Sequence, residues 1–137
     1  KNNKILYFDS KFSGSSSLVK PINDENFNEM HVKTITLDDY CKTNIDLLKI
    51  DVEGHELSVI KSAKKLISEN RIKNILFEFG GQGISSRTYF YDIYNFLVAS
   101  NYEMYRITPS GYLYKINNWS HEYEYFSATN YIAILNI

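Results

Sequence analysis

The sequence predicts an α/β fold, a mostly parallel sheet that closes with antiparallel strands, and three segments carry that prediction. Ile45-Asp46-Leu47-Leu48-Lys49-Ile50-Asp51-Val52 is nearly continuous in apolar character, as expected of a central strand covered on both faces. After Glu53-Gly54 the period becomes that of a helix, with Leu57, Ile60, Ala63 and Ile67 on one face and Lys61, Lys64 and Lys65 in water. Ile75-Leu76-Phe77-Glu78-Phe79 then reads as a second buried strand, so strand, helix and strand form a right-handed parallel crossover.

The remaining elements follow from local chemistry. Ile5 to Phe8 is a short apolar strand, and Ser13-Gly14-Ser15-Ser16-Ser17 after it has the small polar residues of a loop. Pro21 to Asn28 has little periodicity. His31-Val32-Lys33-Thr34-Ile35-Thr36-Leu37 alternates with β-branched residues and predicts a strand, with a polar turn or short helix from Asp38-Asp39. Asn70-Arg71 ends the central helix, and Gly80-Gly81-Gln82-Gly83 predicts a loop. Tyr89-Phe90, Ile93-Tyr94 and Phe96-Leu97 recur at helical spacing up to about Ser100, which reads as a core-facing helix. Tyr102 to Ile107 and Tyr112 to Ile116 flank Thr108-Pro109-Ser110-Gly111, a hairpin signature, and Asn130 to Leu135 supplies a last strand.

Composition narrows the class. At 137 residues the chain is one domain in size, and it has no internal repeat or linker. It opens Lys1-Asn2-Asn3-Lys4 without an initiator Met, which reads as a piece of a longer protein. Fifteen basic and sixteen acidic residues give a net charge of -1, which argues against nucleic acid as a partner. The local cluster Lys61, Lys64, Lys65, Arg71 and Lys73 reads as the wet face and C-terminal end of a helix. No apolar run reaches the roughly 20 residues of a membrane span. The single cysteine, Cys41, forms no internal disulfide, which fits a reducing cytoplasm.

Chemistry concentrates at the ends of the two buried strands. In open α/β sheets, ligands bind beyond the carboxyl ends of parallel strands, where Asp51, Glu53 and Glu78 fall. Carboxylates at buried strand ends are costly unless a ligand, partner or water satisfies them. Gly54 lets the backbone turn sharply and exposes N–H groups at the helix start. A purely structural reading stands beside this one: Glu53 and Glu56 complement the helix dipole and Asp51 accepts backbone N–H bonds. His55 is either a general base at the cleft mouth or a solvated first-turn histidine. Asp51-x-Glu53-x-His55 also invites a metal, but with a helix beginning there the three need not point together, and no metal is assigned. Gly80-Gly81-Gln82-Gly83 lacks both dinucleotide-binding and P-loop spacing.

Thr34-Ile35-Thr36-Leu37-Asp38-Asp39 followed by Ile45 through Glu56 resembles the centre of the FkbM-type methyltransferases. Gly14-Ser15-Ser16-Ser17-Leu18 is similar to the family's upstream small-residue loop, Ile75-Leu76-Phe77-Glu78 to its next strand, and Asn101-Tyr102 with Asn130-Tyr131-Ile132-Ala133 to its closing strands. The resemblance implies a Rossmann-like class I methyltransferase sheet, S-adenosylmethionine as cofactor, and methyl transfer to an oxygen, often a sugar or natural-product hydroxyl. Carried over by position, it puts a catalytic set of Asp51, Glu53, His55 and Glu78 at the cleft; because in-line methyl transfer depends mainly on positioning, the roles expected of them are Asp51 or His55 accepting or orienting the hydroxyl proton, and Glu53 and Glu78 placing the acceptor or holding neighbours.

The family's glycine-rich turn after the first strand and acidic residue after the second, which hold the cofactor, do not occur here. Residues 1–137 are therefore expected to be a single domain forming the C-terminal portion of an FkbM-type domain, with no cofactor-binding residue assigned. The expected partner is a small-molecule or saccharide acceptor, with neither nucleic acid nor membrane. The Asp51 strand would carry an uncovered edge prone to self-association. Two alternatives are a truncated non-catalytic α/β domain acting in binding or assembly, and a carbohydrate-binding module whose tyrosines stack on sugar rings.

Overall fold

A computed structural model describes residues 2–9, 16–20 and 27–136. Two sheets result. Strands β1 (Asn2–Phe8) and β2 (Asn28–Thr34) pair antiparallel as a two-stranded ribbon, with Asn2 opposite Thr34 and Phe8 opposite Asn28. The strand expected to run to Leu37 stops at Thr34, because the Thr36 hydroxyl caps a short helix α1 (Leu37–Tyr40) by accepting from Asp39 N at 3.1 Å. Most of the Ser13–Ser17 loop and nearly all of the Pro21 to Asn28 stretch lie outside the described residues.

The main sheet holds β3 (Ile45–Ile50), β4 (Ile72–Phe79), β5 (Tyr102–Ile107), β6 (Leu113–Ile116) and β7 (Thr129–Leu135), in the order β3-β4-β7-β5-β6. β3 and β4 are parallel, joined through α2 (Glu56–Ser62) and α3 (Lys64–Ser68), and the other pairs are antiparallel. The expectation of an otherwise parallel core is corrected accordingly. A parallel pair needs a crossover of a dozen or more residues, and α2–α3 is the crossover that joins neighbouring strands here. β7 returns from the far end of the chain to insert between β4 and β5.

Ile45 to Val52 was expected to be covered on both faces, and here Leu47 is 54 % exposed, which corrects that expectation. β3 is an edge strand, in line with the uncovered edge expected of the Asp51 strand. Its apolar character therefore marks a surface left bare in this chain.

The helix expected after Gly54 is interrupted at Ala63, yet Ile60, Ala63, Leu66 and Ile67 are buried and Lys61, Lys64 and Lys65 exposed, as the periodicity requires. Asp38 ties the break to α1, its carboxylate accepting from Lys65 N at 2.9 Å and Leu66 N at 3.0 Å. Gly80-Gly81-Gln82-Gly83 is only half a loop, since α4 (Gln82–Ser86) begins inside it.

Helix α5 (Phe90–Val98) buries Phe90, Ile93, Tyr94 and Leu97 while Tyr89 stays exposed. Phe90 meets Tyr131 at 4.4 Å and Phe79 at 5.7 Å between ring centres, joining helix and sheet through aromatic contacts. The Tyr102 hydroxyl donates to Ile72 O at 2.6 Å, and burial pushes it up to about 12. The expected hairpin turn forms, with Gly111 N donating to Thr108 O at 2.8 Å. On the opposite sheet face Leu76, Ile132 and Ile134 are only partly buried.

Candidate active site at the strand ends

The β3–β4 register pairs Ile50 with Phe77, so the next step along each chain brings Asp51 and Glu78 to neighbouring strand ends on one face. After Asp51 the backbone reverses through two left-handed residues, Glu53 at φ 51° and Gly54 at φ 95°, and α2 begins at Glu56. Such a conformation in a non-glycine residue costs of the order of 1 kcal/mol or more and persists only where neighbours hold it.

Three contacts hold this one. Glu56 Oε1 accepts from Gly54 N at 3.1 Å and from Val52 N at 3.4 Å, and the Ser17 hydroxyl donates to Glu53 O at 3.0 Å from the ribbon side. Gly54 also lies directly against Gln82, where a Cβ would come within 2.6 Å of the carbonyl oxygen.

These turns enclose a cavity of about 410 Å³ lined by Asp51, Glu53, Glu56 and Glu78 together with Gln82 and glycine backbone. The volume falls within the ~300–1,000 Å³ range of small-molecule sites. Asp51 Oδ2 is paired at 3.1 Å with Lys49 Nζ, but both side chains are more than half exposed, so the pair contributes little stability. Burial raises the Glu53 carboxyl above the ordinary carboxylate range, and the negative charges of Glu78, Asp51 and Glu56 push it the same way. Partial withdrawal from water thus outweighs any one neighbour.

His55 does not share this cavity. It lines a second one of about 370 Å³ beside α2, with Lys4, Thr34, Thr36, Asp39 and Ser58 among its walls. Its Nδ1 is buried without a hydrogen-bond partner, and burial lowers its pKa, opposed by Glu56 and assisted by Lys4. The imidazole is therefore neutral at neutral pH. Asp51, Glu53 and His55 do not converge, and among the described residues no group of three or more His, Cys, Asp or Glu is arranged to hold a metal ion. No helix among the described residues is long and apolar enough to cross a membrane.

Reasoning from sequence named Asp51, Glu53 and Glu78 but read Glu56 only as a partner of the helix dipole. Glu56 is 5 % exposed and lines the cavity. The signal was present: Glu56 precedes Ile60, Ala63 and Ile67 by four, seven and eleven residues and so falls on the buried helix face. Gln82 and Ala128, which also line the cavity, carry no comparable signal.

Fold and site together define an α/β protein with an acidic cavity at the carboxyl ends of parallel strands. The methyltransferase FkbM domain matches residues 2–106, and the chain belongs to that family. The match runs from the ribbon through nearly all of β5 and includes every residue of the acidic cavity except Ala128. No curated protein and no solved structure matches the chain.

Proposed function

We propose that this chain is the acceptor-side portion of an S-adenosylmethionine-dependent methyltransferase acting on the hydroxyl oxygen of a sugar or related small molecule. The observation that carries this reading is the meeting of Asp51, Glu53 and Glu78 in one cavity at the β3 and β4 ends, within a methyltransferase domain. When bound, the cofactor would supply an electrophilic methyl group.

The residues present fit one side of that chemistry. Their carboxylates suit a positively charged methyl donor and a hydroxyl acceptor. Among the described residues, however, the cavity lining contains no Lys, Arg or His to receive the cofactor's own carboxylate. We therefore assign the cofactor's main seat to strands beyond the open edge of β3, in a Rossmann-like class I sheet of which residues 1–137 form the C-terminal portion. The exposed Leu47 on that edge and the only partly buried Leu76, Ile132 and Ile134 on the second face support this, because further strands and helices would cover them. The single Cys41 suits a cytoplasmic setting.

Glu53 is the general base in this reading. Its raised pKa brings it closer to the working pH, where a carboxylate takes up a hydroxyl proton most effectively. Asp51 and Glu78 accept hydrogen bonds from neighbouring hydroxyls and so orient the attacking oxygen, and orientation is the larger part of catalysis by displacement. His55, in its separate cavity, takes no part in that proton transfer. The test is transfer of labelled methyl from S-adenosylmethionine to hydroxyl-bearing acceptors by the natural polypeptide that carries this chain. Glu53→Gln and Asp51→Asn should each depress turnover in a folded protein, and absence of transfer to every acceptor would overturn the reading.

A second reading, a non-catalytic domain acting in assembly, is favoured by the same β3 edge, which could pair with a second copy. Sedimentation of the chain distinguishes them, since a stable dimer dissociated by Leu47→Lys supports assembly.

A further inference from the structure

The peptide unit between Glu53 and Gly54 is gripped on both of its edges. Its N–H belongs to Gly54 and donates to Glu56 Oε1 at 3.1 Å, and its carbonyl belongs to Glu53 and accepts from the Ser17 hydroxyl at 3.0 Å. No other bond to that carbonyl occurs among the described residues. Because a peptide unit is planar, grips on opposite edges fix its rotation, and with it ψ of Glu53 and φ of Gly54. Both residues are left-handed, at φ 51° and 95°, a conformation that a glutamate keeps only under constraint.

Ser17 is itself held firmly enough to supply that constraint. Tyr7 N donates to Ser17 O at 2.8 Å and Ser17 N to Tyr7 O at 2.9 Å, which ties its backbone to the ribbon. Its hydroxyl oxygen accepts from Val19 N at 3.1 Å, so the single hydroxyl proton is directed to the Glu53 carbonyl. The two partners lie 36 residues apart in the chain.

We propose that Ser17 is a positioning residue of this site: by holding the Glu53 carbonyl, its hydroxyl stops the turn from flipping and keeps the Glu53 carboxylate in the strand-end cavity. The assignment rests on the reading of Glu53 as general base. Without the Ser17 hydroxyl the peptide unit is free to rotate, Glu53 relaxes toward negative φ, and its carboxyl leaves Asp51 and Glu78 for water.

Carbon-13 NMR and kinetics of the natural polypeptide carrying this chain test this, with Ser17→Ala removing the hydroxyl and Ser17→Thr returning one. In Ser17→Ala the Glu53 midpoint should fall toward its ordinary 4.5, while amide exchange at the buried Phe77 of β4 stays native. Transfer of labelled methyl from S-adenosylmethionine, with glucose as the first acceptor tried, should lose about tenfold to a hundredfold in kcat, with KM within about twofold. Ser17→Thr should restore both the midpoint and the rate. A native Glu53 midpoint or a native kcat in Ser17→Ala overturns the proposal. So does a loss accompanied by quickened exchange at Phe77, which would make Ser17 a residue of the fold alone, and so does a folded Ser17→Thr that restores neither. If the native polypeptide methylates no acceptor, the methyltransferase reading falls alone, and the Glu53 midpoint in Ser17→Ala still decides the positioning.

Discussion

Gly54 and Gln82 meet backbone to backbone, so that a Cβ on Gly54 would stand 2.6 Å from the Gln82 carbonyl oxygen. This contact locks the turn after β3 to the turn after β4, and with it the spacing of the carboxylates that line the cavity. Gly54→Ala therefore meets two obstacles at once, a positive φ and a fixed backbone atom. The expected loss is about 2 kcal/mol or more of folding stability. Urea denaturation of the variant checks it, and an unchanged midpoint would mean that the two turns move apart freely.

Glu56 should prove more sensitive to truncation than to neutralisation. Glu56→Ala leaves the Val52 and Gly54 N–H groups without an acceptor, at a cost of about 1–3 kcal/mol for a buried donor. Glu56→Gln keeps an oxygen in place and should lose less. Amide hydrogen exchange at Gly54 is the direct readout: it should quicken in the alanine variant and stay near native in the glutamine variant.

The Glu53 carboxyl should titrate above its ordinary value of 4.5. Because its folded-state pKa is raised, the stabilisation it contributes is fully present below the unfolded value and is lost as pH rises through the folded value. Carbon-13 NMR of the Glu53 carboxyl measures the midpoint directly. In Glu78→Gln that midpoint should fall, since Glu78 is the first of the three negative neighbours that raise it after burial itself. A midpoint indifferent to Glu78 would show that burial acts alone.

Glu124 should stabilise α5 from a distance in sequence. Its two oxygens accept from Phe90 N at 2.8 Å and Tyr91 N at 2.7 Å, capping the helix, and Oε1 also accepts from Trp119 Nε1 at 3.0 Å. Glu124→Ala should cost about 1–2 kcal/mol, the size of a lost cap. Trp119 is the one tryptophan, so its fluorescence should shift to the red as the indole N–H loses its partner; unchanged emission would argue that the loop holds its place without Glu124.

Much of this protein was written in short stretches of sequence. The change of period at Glu53-Gly54 fixed a strand, a tight turn and a helix, because turn chemistry and periodicity act between neighbours along the chain. The same run, Lys49 to Glu56, marked the family and put Asp51 and Glu53 at a strand end, with Glu78 at another. What the tertiary structure decided was relative placement. β7 inserts between β4 and β5 from residue 129 onward, leaving β3 at the edge, and strand partners so distant in the chain leave no local trace. The sharp turn sends His55 into one cavity and Glu56 into another, although they are adjacent in sequence. Which side chains share a site depends on the direction in which a reversed backbone leaves each Cα, and that direction is set by contacts from Ser17 and Gln82, 36 and 28 residues away from the turn residues they hold.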